Sequence, residues 1–384
     1  MRILHLTRDL PPASKGGISI AVGGLLRALG EGGDTCGALS FDGWRPSRDA
    51  GRGSETVRDQ LHGAPVVRVS GPDGLHEAAA FAGSFRPDVL HVHHGMLWPF
   101  AATLRETLAV PALFTVHVHQ AALNRLRGVT ERTMSLDGQE RALVEADAVL
   151  TPSLSCTASV RTDHPERPIF TTPLGVFDSD AARAAVDGRT ERCRDTVLYV
   201  GRFADIKGTE DFFEVARRVL AKRPASRAVV VGGVPDNPKA ERRWRRRWEE
   251  GTSPTLVERL RFEGWCTPAA LSVHLAAARV LVVPSWTETF GLTVLEAMLH
   301  ATPVVASACP AIAELLDDGR TGLLAPVRDV AALVGCVERL LDDDELAVTL
   351  GHQAAVRARA VHRWAQTVHG TRMAYRSATL TQPA

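Results

Sequence analysis

The stretch Val280-Leu281-Val282-Val283-Pro284-Ser285-Trp286-Thr287-Glu288-Thr289-Phe290-Gly291-Leu292-Thr293-Val294-Leu295-Glu296-Ala297-Met298 reads as a strand, a loop and the start of a helix. Four consecutive apolar residues suit a strand buried on both faces, and Pro284-Ser285 ends it. The backbone N–H groups of Phe290, Gly291 and Leu292 then fall at a helix N-terminus, where they can hold an anion. Glu288 lies in the loop before that helix, and Glu296 lies one to two turns inside it. Two carboxylates beside an anion site would repel a phosphate, so hydrogen bonding to sugar hydroxyls explains them better.

The same pattern recurs on either side. Apolar runs at 3–6, 65–69, 89–92, 112–116 and 148–150 in the first half, and at 197–200, 228–231, 280–283 and 304–306 in the second, alternate with stretches of helical period. That alternation predicts two open α/β units built on parallel sheets. The helical period is plain after Gly208, where Phe212, Val215, Ala216, Val219 and Leu220 share one face, with Glu210 and Asp211 in the first turn and Lys222 and Arg223 in the last. The segment from Asp178 to about Arg194 is polar, alanine-rich and without strand pattern. We therefore expect a first domain over 1–178, a linker over 179–195 and a second domain over 196–360. Ligand sites of such sheets lie at the carboxyl ends of the strands, here expected to face a cleft between the domains.

Composition sets the remaining limits. A chain of 384 residues has room for two cores. With 45 Lys+Arg against 44 Asp+Glu, it carries no global attraction to nucleic acid or anionic lipid, so any anion site must be local. Six cysteines stand singly, without a C-x-x-C pair, which fits reduced thiols. No secretory signal is visible, and no apolar run approaches the roughly 20 residues needed to cross a bilayer. These features predict a soluble, cytoplasmic protein.

A second loop adds positive charge. Tyr199-Val200-Gly201-Arg202-Phe203-Ala204-Asp205-Ile206-Lys207-Gly208 also follows a strand and precedes a helix, placing Arg202 and Lys207 in one βα connection. Arg can hold two phosphate oxygens at once, and Lys acts as a point charge. At about 4 Å and an effective dielectric near 20, each such charge pair is worth roughly 4 kcal/mol before desolvation.

Taken together these motifs resemble the retaining glycosyltransferases of family 4, which have the GT-B fold of two Rossmann-like domains. Glu288 and Glu296 within P-S-x-x-E-x-F-G-L-x-x-L-E-A-M match that family's E-x7-E signature, and Gly201-Arg202 with Lys207-Gly208 looks like its G-R-x-x-x-x-K-G element. Lys15-Gly16-Gly17 is similar to its glycine-rich loop. Thr115-Val116-His117, Pro173-x-Gly175-Val176, Arg261-Phe262-x-Gly264 and Thr302-Pro303-Val304-Val305-Ala306 leading to Glu314 keep family order, so the likeness runs from Met1 to about Tyr375. Residues 361–384 resemble the family's last helix, which crosses back onto the N-terminal domain.

The resemblance implies roles. Arg202 and Lys207 would neutralise the donor diphosphate, and Glu296 would bind the ribose hydroxyls. Glu288 would approach the donor sugar beside the N–H groups of Phe290, Gly291 and Leu292. His117 would contact the transferred sugar, and Gly16 and Gly17 would let backbone approach the diphosphate. Asp9, His93, His94 and Trp98 are the expected acceptor-side residues. The implied activity moves a hexose or amino-hexose from a nucleoside diphosphate, UDP, to a hydroxyl of a small polar acceptor such as a cyclitol, aminocyclitol or antibiotic precursor, without metal or other cofactor. Three positions depart from the family pattern, one being Leu174, which stands where Asn usually precedes the Gly of the interdomain element. Cys309-Pro310-Ala311 replaces the usual Gly-Gly, expected to stiffen a loop beside the donor sugar, and His300-Ala301 stands where glycine is common.

Other features are weighed and set aside. His91 with His93, and His117 with His119, share strand faces and could chelate zinc, but no carboxylate or cysteine is placed to complete a site. Asp178-Ser179-Asp180 is a D-x-D string of the kind metal-dependent glycosyltransferases use, read here as a solvated turn in the linker. The block Arg242-Arg243-Trp244-Arg245-Arg246-Arg247-Trp248 could contact nucleic acid, but Trp244 and Trp248 lie at i and i+4, which predicts a surface helix docking two indoles. A nucleotide-sugar epimerase or hydrolase on the same fold, and a partner-binding protein using the Arg/Trp segment, are the rival readings.

Overall fold

A computed structural model describes residues 1–12, 16–42, 56–71, 74–187, 195–234 and 237–380. Lys15, part of the expected glycine-rich loop, lies outside the described residues. The chain divides into two units, one formed by 1–175 with 364–384 and the other by 176–363.

In the first unit the strands are β1 (Arg2–Thr7), β2 (Thr35–Ser40), β3 (Thr56–Leu61), β4 (Ala64–Val69), β5 (Val89–Val92), β6 (Ala112–Thr115), β7 (Ala148–Thr151) and β8 (Ile169–Thr171). They form one sheet in the order β3-β4-β2-β1-β5-β6-β7-β8, parallel except for the edge pair β3 and β4. Helices α1 (Gly17–Glu31), α2 (Gly74–Phe85), α3 (Trp98–Leu108), α4 (Gln120–Arg127), α5 (Met134–Glu145) and α6 (Leu154–Asp163) make the crossovers. Strand alternation sorts the side chains. Leu4, Leu6, Leu90, Val92 and Phe114 enter an apolar core with Phe85 and Trp98, where burying a Phe or Leu contributes roughly 1.5–3 kcal/mol. The opposite phase of the same strands carries His5, Thr7, His91 and Thr115, all buried.

The second unit opens with α7 (Asp180–Val186), then runs β9 (Thr196–Arg202), α8 (Thr209–Lys222), β10 (Arg227–Gly233), α9 (Pro238–Glu250), α10 (Pro254–Val257), β11 (Leu260–Gly264), α11 (Pro268–Ala277), β12 (Val280–Val283), α12 (Leu292–Leu299), β13 (Val304–Ser307), α13 (Pro310–Leu315), β14 (Leu323–Ala325), α14 (Val330–Asp342) and α15 (Asp344–Val361). Its sheet is all parallel in the order β11-β10-β9-β12-β13-β14. Counting strands within the unit, this is the 3-2-1-4-5-6 order of a Rossmann sheet. On α8 the face Phe212, Val215, Ala216, Val219 and Leu220 is buried, as its spacing predicts. On α9 the two indoles turn inward: Trp248 is buried and Trp244 meets Phe203 and Phe213 edge-on. They are therefore not available as stacking platforms for bases.

Two expectations need correction. The start of the expected linker is helix α7, capped by the Ser179 hydroxyl, which accepts from the Ala182 N–H at 3.0 Å, and packed on α11 and α12. Asp178 pairs with Arg359 at 2.9 Å, so the D-x-D string is a helix start and an anchor for α15. Residues 188–194 lie outside the described residues. The last helix, α16 (Trp364–Leu380), belongs to the first unit and packs on α1, β7 and β8. Arg372 ties it to Asp34 at 2.8 Å, and its Tyr375 is fully buried.

One contact fixes the loop after β6. The Gln139 amide on α5 donates to the Val118 carbonyl at 2.8 Å and accepts from the Gln120 N–H at 2.7 Å. It can do so because α5 crosses the turn at Gly95 backbone to backbone: a Cβ at Gly138 would sit 2.2 Å from the Gly95 carbonyl oxygen. Gly138→Ala must push these backbones apart, and we expect a destabilisation of about 2–4 kcal/mol, read as a lowered thermal midpoint. A midpoint equal to that of the parent protein would show that the crossing is looser than described.

Candidate active site

In the second unit the topological switch lies between β9 and β12, whose crossovers leave in opposite directions and open a crevice at the strand ends. The loops that leave these two strands carry the charged motif residues. They touch closely: Gly208, with φ 64°, sits where a Cβ would be 2.0 Å from the Pro284 carbonyl oxygen, and the Trp286 N–H donates to the Ile206 carbonyl at 2.9 Å. That approach brings Lys207 onto Glu288, its ammonium donating to both carboxylate oxygens at 2.7 Å. The Ser285 hydroxyl donates to the same carboxylate at 2.8 Å. Trp286, between them in sequence, is held by Asp211 at 2.7 Å and covered by the Arg328 guanidinium. Arg202, at the end of β9, is exposed and has no side-chain partner among the described residues.

Gly291 caps α12 in the left-handed region, φ 96°, and Phe290 is buried against His362. The first turn of α12 therefore presents amides that have no intrahelical acceptor. Glu296 lies one turn further in. Burial pushes its carboxyl up to about 7, and its side chain has no hydrogen-bond partner among the described residues. Cys309, expected in a stiffened loop, is instead the N-cap of α13, with Pro310 at the first helical position. Burial, aided by the Glu288 carboxylate, pushes the Cys309 thiol up to about 11, so it is a neutral thiol. Ala301 takes φ 50°, the left-handed conformation that accounts for the glycine common at its position.

In the first unit the switch lies between β1 and β5. Thr7 and Asp9 follow one strand end, and His93 and His94 the other. His94 accepts from the Arg8 N–H at 3.2 Å, and the Thr7 hydroxyl lies 3.4 Å from the same ring nitrogen. His117 follows β6, the next strand in the sheet. Trp98 leaves the acceptor set: it is fully buried in the core, its indole N–H donating to Glu145 at 2.6 Å. His93 leaves it too, because it is buried and bonded to two other rings, His5 at 3.0 Å and His117 at 3.1 Å. Gly16 is extended, and among the described residues no atom lies within 4 Å of where its Cβ would be. Gly17 is the first residue of α1.

Sequence reasoning missed His5, Ser285 and Tyr375. His5 stands alone between aliphatic residues, and only strand register, which pairs it with His91, reveals its neighbours. His5, His91 and His93 bring ring nitrogens within 4.8 Å of one another. Both nitrogens of His91 are, however, engaged, by Tyr375 at 2.7 Å and Thr115 at 2.6 Å.

Comparison with known proteins identifies the family and the fold. A family model described as "Glycosyl transferase 4-like domain" matches residues 16–175, and one described as "Glycosyl transferases group 1" matches 194–343. A curated relative, the D-inositol 3-phosphate glycosyltransferase of Kribbella flavida, is 30% identical over 317 residues, covering 77% of this chain and 73% of that protein. Among solved structures, a sucrose-phosphate synthase from Thermosynechococcus elongatus superposes with a TM-score of 0.81 at 23% identity over the full length of both chains. The Anabaena protein HepE, in complex with UDP-glucose, gives 0.74 at 18% identity over 98% of this chain and 100% of that one. The chain belongs to the family 4 glycosyltransferases and has their GT-B fold of two Rossmann-like domains.

Proposed function

We propose that the protein is a retaining, metal-independent hexosyltransferase or aminohexosyltransferase that uses a nucleoside-diphosphate sugar, UDP being the nucleotide, and a hydroxyl of a cyclitol-like acceptor. The observation that carries the proposal is the Lys207–Glu288 pair at the β9/β12 switch, with Arg202 at the end of β9 and Glu296 in α12 having no side-chain partner among the described residues. The UDP-glucose bound by HepE supports the donor class, and the inositol-phosphate relative supports the acceptor class.

The chemistry follows from charge. In the free protein Glu288 neutralises Lys207. An arriving diphosphate competes for the ammonium, and Arg202 can add a bidentate contact. Release from Lys207 leaves Glu288 able to accept hydrogen bonds from the sugar. As the bond from the sugar to the diphosphate breaks, negative charge grows on the leaving phosphate, where Lys207, Arg202 and the α12 N-terminus stabilise it. The departing phosphate then takes the acceptor proton while the new bond forms on the same face. No protein nucleophile is required, and His117, Asp9 and His94 orient the two sugars.

Replacing Lys207 by Ala removes a charge worth up to about 4 kcal/mol at the leaving group, so transfer should fall by roughly 10³-fold with the fold intact. Transfer is measured by mass spectrometry of nucleotide sugars against pooled cyclitols. A fully active Lys207→Ala would refute the phosphate role, and a product of inverted anomeric configuration would refute retention.

Glu296 gives a pH test. Below pH 4.5 its carboxyl is protonated in folded and unfolded chains alike; between 4.5 and about 7 the unfolded chain ionises it first, so stability is lost as pH rises through that window. Glu296→Gln should therefore match the parent near pH 4 and exceed it in thermal midpoint above pH 7. Ribose hydroxyls donate to the ionised form, so the parent's donor KM should rise by up to about tenfold per pH unit below 7. Glu296→Gln should show a flat profile, and an unchanged slope in that variant would assign the titration elsewhere.

A further inference from the structure

On the face of the first sheet opposite its apolar core, β1, β5 and β6 bring a row of imidazoles together. Register places His5 beside His91, and the two-residue period puts His93 in line with His91 and His117 in line with Thr115. His91 is pinned at both nitrogens, by Tyr375 of α16 and by Thr115. The other three rings form a chain: His5 Nδ1 shares a hydrogen bond with His93 Nε2 at 3.0 Å, and His93 Nδ1 shares one with His117 Nε2 at 3.1 Å. The His5 and His93 ring centres lie 5.3 Å apart with their planes 9° apart, the edge-to-edge arrangement a ring-to-ring hydrogen bond needs.

We propose that His5 and His93 are positioning residues for His117: the three neutral rings act as one hydrogen-bonded unit that fixes the tautomer of His117 and leaves its Nδ1–H to donate to the transferred sugar. The proposal rests on the reading above that His117 contacts that sugar.

The physical case is one of proton counting. A neutral imidazole has one N–H and one bare nitrogen. Two bare nitrogens, or two N–H groups, cannot face each other at 3 Å, so all three rings must carry the proton on the same kind of nitrogen. If all are Nε2–H, the chain ends in the core on the His5 Nε2–H, a buried atom with no partner among the described residues. If all are Nδ1–H, it ends there on a bare nitrogen, and the spare N–H is at His117. Orphaned N–H groups are the rarer fault in protein interiors, which selects the second arrangement. The rings stay neutral because burial lowers His5 to about 3, His117 to about 4, and His93 well below its ordinary value. The titratable groups facing them from neighbouring elements are His91, His94, Arg8 and Tyr375, and α1 faces them with Ala21, Val22 and Leu25. A proton added to any ring would have to sit among other imidazoles and an arginine.

Histidine nitrogen NMR on the ligand-free protein tests this without any substitution. The expected result is that His5, His93 and His117 are all Nδ1–H tautomers and none titrates above about pH 5. A single ring in the other tautomer overturns the proposal. So does stoichiometric zinc retained through dialysis, because a metal would occupy the ring nitrogens of the chain. Two variants separate positioning from mere packing. Asn in place of His93 keeps a polar atom where Nδ1 stood, facing His117; Gln keeps one where Nε2 stood, facing His5. His93→Gln should lower kcat at least tenfold with donor KM little changed, and move the acid limb of the pH profile upward toward the ordinary histidine value. His93→Asn should recover most of the kcat and the acid limb. Equal losses in both variants would mean packing alone. If no donor is turned over at all, the transferase reading fails while the tautomer measurement still decides the chain; transfer with uncoupled rings refutes the chain alone.

Discussion

Both units depend on one constraint, the right-handed crossover between parallel strands. Because it has a fixed hand, the chain must reverse its direction of travel across the sheet once, and at that point two neighbouring strands send their loops opposite ways. Here those pairs are β1 with β5 and β9 with β12. Charge and hydrogen-bonding capacity collect there in both units, as Lys207 and Glu288 in one and as His94 and Asp9 in the other.

The two units solve the problem of buried polarity differently. The second holds opposite charges in contact, and in a low-dielectric crevice an ion pair is stable only while each partner has the other or a substitute. Lys207 and Glu288 are such a pair, and a diphosphate and a sugar are suitable substitutes for each. Glu296 meets the same pressure by taking up a proton near neutrality. The imidazole row of the first unit does without charge. Its imidazoles are neutral and satisfy one another, with Thr115 and Tyr375 closing the row. A net charge of +1 over the whole chain conceals both arrangements.

The sheets were legible in the sequence because their central strands are buried on both faces and read as short, mostly apolar runs, β5, β6, β7, β12 and β13 among them. β2 was not, and the reason is physical. Its Gly37 leaves the space that the Phe85 ring fills, a Cβ there falling 2.8 Å from the ring, so a packing requirement removed the strand signal. β3 was hidden because it is a solvated edge with polar residues. In the candidate site, Glu288, Glu296, Arg202 and Lys207 stood in local motifs with fixed spacing. His5 and Tyr375 did not, since their partners lie 88 and 284 residues away in sequence. Trp98 and His93 were assigned to the wrong surroundings, because following a strand end does not say which way a side chain turns.

The two-segment make-up of the first unit has a consequence for synthesis. Residues 176–363 are continuous, and their ends meet where the Val176 N–H donates to the His362 carbonyl at 3.2 Å. They can complete their sheet before α16 has left the ribosome. The first unit cannot: α16, which covers β7 and β8 and delivers Tyr375 to His91, is translated after the whole of the second unit. Until then the nascent chain carries an aliphatic sheet face and an open imidazole row, so the later-made unit matures first and the earlier-made one waits for α16.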